Sequence, residues 1–109
     1  MADKSDLPQG TLDLLILKAL ALESLHGWAI SERLQQISRE AFQVQQGSLY
    51  PALHRMEQSG WVRSEWAVTE SSRKAKFYTL TVAGRKQLAA RQKNWEQVVK
   101  GVQAILRFA

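Results

Sequence analysis

A chain of 109 residues, 45% of them hydrophobic, has the size of one small domain and is too apolar to be disordered. It has no cysteine, which excludes disulfides and thiolate metal sites. Its longest apolar run, Leu14 to Leu22 with Lys18 inside it, falls far short of the roughly 20 residues of a membrane span. The net charge of +5 is unevenly spread, with four basic and six acidic residues in 1–53 against eleven and four in 54–109. Seven basic residues and no acidic one lie between Arg73 and Lys93, which points to a polyanionic partner.

In chain order, residues 1–9 read as an N-terminal tail. Met1–Pro8 is polar and lacks the apolar core of a signal sequence, so a cytoplasmic protein is expected. A first helix is predicted over about Thr11–Leu22, capped by Gly10 or Thr11. It is apolar nearly all round and therefore buried. A second helix follows over Gly27–Ile37, with Ile30, Leu34 and Ile37 on one stripe. A third starts near Gly47, buries Leu49, Leu53 and Met56, places Pro51 in its first turn and stops at Gly60. The period then switches to two. Trp61–Thr69 and Ala75–Thr81 are rich in β-formers and are joined by a short polar loop, which predicts a hairpin. A long last helix runs over about Val82–Phe108, where Leu88, Trp95 and Val102 repeat at seven, as do Val98 with Ile105 and Val99 with Leu106. Trp28, Trp61 and Trp66 are expected to pack in the core or hairpin.

The fold class is thus mainly α with a small β-hairpin: a winged helix-turn-helix over residues 10–81 and a long C-terminal helix over 82–109. Such a unit offers its third helix to a major groove, which is wide enough for one helix, and its hairpin to the adjacent backbone. The outward side of the third helix carries Gly47, Pro51, His54, Arg55 and Gln58, with Ser48 and Tyr50 at its edges. The hydroxyls suit phosphate oxygens, while His54, Arg55 and Gln58 suit phosphates or base edges. The hairpin tip adds Arg73, Lys74 and Lys76. Two histidines, no cysteine and scattered carboxylates leave no catalytic or metal-binding constellation, and no cofactor is expected. The rival reading is a winged-helix module for protein assembly alone, against which the cations of the third helix and hairpin speak.

Several segments together resemble one family. They are Gly10-Thr11-Leu12-Asp13, His26-Gly27-Trp28-Ala29-Ile30, Gly47-Ser48-Leu49-Tyr50-Pro51-Ala52-Leu53-His54-Arg55-Met56-Glu57, Gly60-Trp61-Val62, and Arg73 through Thr81 with Gly84. The set, spanning about residues 10–90, is similar to the PadR-like transcriptional regulators. The resemblance implies a homodimeric repressor of a palindromic operator whose C-terminal helix, helped by the first, forms the subunit interface. Leu88, Trp95, Val98, Val99, Val102, Ile105 and Leu106 would then be interface residues. The single helix after Lys93 resembles the smaller subgroup of the family. Some relatives respond to small aromatic compounds, and Trp95 is the residue that would stack on such an effector. The plainer role for Trp95 is interface packing at a heptad position.

Overall fold

The structure, a computed structural model, describes residues 7–108; of the N-terminal tail expected over residues 1–9, residues 1–6 lie outside the described residues and Gln9 already belongs to the first helix. Helix α1 spans Gln9–Leu22 and buries Leu12, Leu14, Ile16, Leu17, Ala19 and Leu20, as an all-round apolar helix must. It starts two residues earlier than Thr11. Pro8 occupies the N-cap position, with φ −56° and its carbonyl accepting from Leu12 N–H at 3.0 Å, and no side chain caps this end. The proline ring presets the backbone there, so Gly10 and Thr11 lie inside the first turn rather than at the cap.

Strand β1, Leu25–His26, leads directly into α2, Gly27–Ile37. His26 caps α2 by accepting the Ala29 N–H on Nδ1 at 3.3 Å. Helix α3 spans Gln46–Gln58 and fully buries Leu49, Ala52, Leu53 and Met56. Pro51 falls in its second turn, not its first, so the helical partner that the proline lacks is the Gly47 carbonyl. Both residues are exposed, where water can satisfy that oxygen. The helix ends in a Schellman arrangement. Gly60 adopts φ +78°, its N–H donates to the Glu57 carbonyl at 3.1 Å, and Trp61 N–H donates to the Met56 carbonyl at 2.9 Å.

Strands β2, Val62–Val68, and β3, Lys74–Leu80, form the hairpin in antiparallel register, with Val62 opposite Leu80 and Val68 opposite Lys74. The sheet has three strands, in the order β1-β3-β2, rather than two. Leu25 pairs with Tyr78 and His26 with Phe77, and a two-residue strand is too short to leave a periodic signal. Thr81 caps α4, Val82–Arg107, accepting the Gly84 N–H at 3.0 Å and donating to the Gly60 carbonyl at 2.6 Å. A Cβ on Gly84 would lie 2.1 Å from the Trp61 carbonyl oxygen, so only glycine lets α4 seat here.

One core joins α1, α2, α3 and the root of the sheet, and α4 reaches it mainly through Gly84 and Leu88. Twenty-six helical residues make a rod of about 39 Å. Its C-terminal half projects from the core. The radius of gyration, 15.3 Å, accordingly exceeds the roughly 13 Å of a compact chain of this length.

Candidate nucleic-acid interface

Burying Leu49, Leu53 and Met56 turns the opposite side of α3 outward, and Gly47, Ser48, Tyr50, Pro51, His54, Arg55 and Gln58 are all exposed. Three ties fix how this helix is presented. At its start, Gln46 Nε2 donates to Ser31 Oγ at 3.3 Å, and Ser31 Oγ donates to the Trp28 carbonyl at 2.8 Å, which joins α3 to α2. Also against α2, the Tyr50 ring lies on Gly27: a Cβ there would come within 2.6 Å of the ring. Tyr50 is still 45% exposed, so packing and exposure are shared by one side chain.

The third tie concerns Arg55. Its guanidinium grips Asp13 with two parallel bonds, Nη1 to Oδ2 at 3.3 Å and Nη2 to Oδ1 at 3.2 Å. The Asp13 side chain is 6% exposed and that of Arg55 47%. A buried carboxylate needs a paired cation, and here α3 supplies it to α1. In the sequence Arg55 reads as an outward-reaching cation and Asp13 carries no visible role. The missed signal was an acidic residue inside an otherwise apolar helix.

The hairpin is bracketed to α3 by Glu57. Ser64 Oγ of β2 donates to Glu57 Oε2 at 2.5 Å, and Lys76 Nζ of β3 lies 3.6 Å from Oε1. The Ser64 hydrogen bond and the Lys76 charge hold the Glu57 carboxyl below its ordinary range, against a smaller opposing effect of burial. The charge of His54 acts on it in the same direction. Burial pushes the Tyr78 phenol up, helped by the Glu57 and then the Tyr50 charge, which favours its neutral form. Lys76 is therefore half-buried in this bracket, while Arg73 and Lys74 are exposed. Arg73 lies in the turn and Lys74 opens β3. The turn is tightened by Thr69 N–H donating to the Arg73 carbonyl at 2.7 Å, with Ser72 at φ 63°.

The tryptophans divide. Trp61 is half-buried under the Arg91 guanidinium, 4.9 Å from its ring centroid, so this member of the basic run is turned inward. Trp28 and Trp66, expected to pack, are instead 58% and 67% exposed. Trp28 opens α2 outside its Ile30–Leu34 stripe. Trp66 sits on the hairpin beyond the reach of the core.

On α4, Leu88 packs partly against its own subunit's core, which accounts for its burial without a partner chain. Trp95, Val98, Val102, Ile105 and Leu106 are exposed and Val99 is half-buried. Trp95 borders two grooves between α1 and α4, one of about 210 Å³ that includes Leu14, Leu15, Lys18 and Leu88, the other of about 500 Å³ that includes Thr11, Leu14 and Arg91. Among the described residues no group of His, Cys, Asp and Glu is placed to hold a metal ion, and no helix is long and apolar enough to cross a membrane.

The arrangement has counterparts among known proteins. Residues 16–90 match the model of the "Transcriptional regulator PadR-like family". A transcriptional regulator of Mycobacterium tuberculosis is 34% identical over 87 residues, covering 80% of this chain and 78% of its own. The crystal structure of a PadR-like transcriptional regulator from Bacillus cereus superposes with a TM-score of 0.79 at 27% identity, covering 93% of this chain and 96% of that one. A transcriptional regulator from Clostridium thermocellum, 24% identical, shares the fold with a TM-score of 0.83 over 91% of this chain and 96% of its own.

Proposed function

Because the chain belongs to the PadR-like family of transcriptional regulators, whose DNA-binding winged-helix fold it has, we propose that it is a repressor acting as a homodimer on a palindromic operator in the cytoplasm. The observation that carries this reading is the single surface made by the outward side of α3 and the cationic hairpin that Glu57 fastens beside it. In it, residues 10–81 are the DNA-binding unit and 82–109 the dimerisation helix.

Gly47, Ser48, Tyr50, Pro51, His54 and Gln58 face the major groove. The uncapped N-terminus of α3 brings backbone N–H groups and the Ser48 hydroxyl to phosphates. His54 and Gln58 are the base-edge readers. Arg73 and Lys74 neutralise the neighbouring backbone, and Lys76 does so while shared with Glu57. Arg55 acts first as the anchor of α3, its charge already engaged by Asp13. Two copies joined through Trp95, Val98, Val99, Val102, Ile105 and Leu106, with Leu88 at the root of the seam, would present two recognition helices to successive turns of one duplex, about 34 Å apart. A small aromatic effector entering between α1 and α4 beside Trp95 would alter that spacing.

A mobility-shift titration across salt tests the DNA reading. Log K is expected to fall linearly with log salt, at about −0.9 per neutralised phosphate. Arg73→Ala with Lys74→Ala should weaken all duplexes alike and flatten the slope by about 2. Absence of any duplex binding at low salt would leave the protein-assembly role in its place.

A further inference from the structure

The register of the hairpin puts Ser64, Trp66 and Val68 of β2 on the same face as Tyr78, Lys76 and Lys74 of β3, each directly opposite its partner. At the root this face meets α3, through Ser64 and Lys76 on Glu57. Toward the tip nothing covers it: Trp66 is 67% and Val68 64% exposed. An indole and a valine therefore lie bare on the edge strand, each beside one lysine of β3, on the face that meets α3 at Glu57.

Resting on the duplex-binding reading above, we infer that Trp66 is a DNA-contacting residue, seated with Val68 against the sugar–phosphate backbone of the strand that runs between α3 and the hairpin. The chemistry of the patch matches that ligand. A deoxyribose presents an apolar edge next to its phosphates, as this face presents an indole and a valine next to Lys76 and Lys74. The indole N–H is a donor with no acceptor function, suited to a phosphate oxygen. Burial of the ring supplies affinity that does not come from counterion release, so it differs measurably from the contribution of the lysines. A protein partner on the same patch would find the apolar centre but leave the exposed Lys74 ammonium to be desolvated.

The test compares wild type, Trp66→Ala and Trp66→Phe by fluorescence anisotropy on a labelled duplex selected from a random pool and on an unrelated duplex, each across salt. The Ala variant should bind both about tenfold more weakly, equivalent to about 1.4 kcal/mol, with an unchanged salt slope. The Phe variant, keeping the ring and losing the N–H, should fall between. Independently of any variant's folding, wild-type protein labelled with 5-fluorotryptophan should show the Trp66 fluorine resonance moving when duplex is added. Equal binding by the Ala variant, or a resonance that does not move while the protein binds, overturns the inference and leaves the duplex reading intact. Self-association of wild type that the Ala variant lacks, with DNA affinity unaltered, overturns it in favour of a protein contact. Failure of wild type to bind either duplex removes both readings.

Discussion

At the buried end of the Asp13–Arg55 pair the two partners are not equivalent. Truncating Arg55 leaves a carboxylate in the core with no cation beside it, whereas truncating Asp13 leaves a guanidinium that is half in water and able to hydrate. Removing one partner of a buried pair costs about 3–5 kcal/mol when the orphan stays buried. Arg55→Ala is therefore expected to lower stability by about 3 kcal/mol, and Asp13→Ala by clearly less, as read from urea unfolding midpoints. Equal losses would mean that Asp13 is not sequestered as described. The same two variants separate anchoring from direct contact. If Arg55 only positions α3, Asp13→Ala weakens DNA binding through a looser helix. If the guanidinium itself seeks phosphates, freeing it strengthens non-specific binding.

Among elements, the joint between α3 and the hairpin is where pH enters. The folded state holds the Glu57 carboxyl below its ordinary value, chiefly through Ser64 and then Lys76. A depressed folded pKa gives stability that is fully present above the unfolded value and lost as pH falls through the folded one. The bracket should thus be intact at neutral pH and open only below the usual carboxylate range near 4. Amide protection factors in Val62–Val68 and Lys74–Leu80, corrected for the intrinsic pH dependence of exchange, should fall at that point. Glu57→Gln, which keeps an acceptor for Ser64 and loses the charge, should remove the acid-side step. A step surviving in that variant would assign it to another group.

For the whole molecule, the projecting half of α4 is the feature that the subunit's own core leaves uncovered. Val98, Val102, Ile105 and Leu106 are 48–79% exposed along the last turns of the rod, with Phe108 just past its end, an apolar stripe of the kind that marks an interaction surface. If this stripe joins two copies as proposed, Val99→Glu with Val102→Glu should give monomers in sedimentation and reduce operator affinity, because one tethered helix no longer delivers the other. Dimers that persist in the double variant would place the interface elsewhere.

By itself the sequence determined the order and type of the long elements, the stripe that α3 buries, the hairpin and the family. Each of these is written in a local repeat of apolar spacing or in a contiguous motif. The tertiary structure decided what depends on chain segments far apart. That Arg55 is held by Asp13, 42 positions away, that Lys76 is shared with Glu57, that Tyr50 lies on Gly27 and that Trp66 stays bare are matters of which surfaces meet. A two-residue strand at Leu25–His26 and the inward turn of Arg91 belong with them. Local periodicity sets which side of an element is apolar, whereas the partner of a charge or ring is chosen by packing and desolvation across the fold.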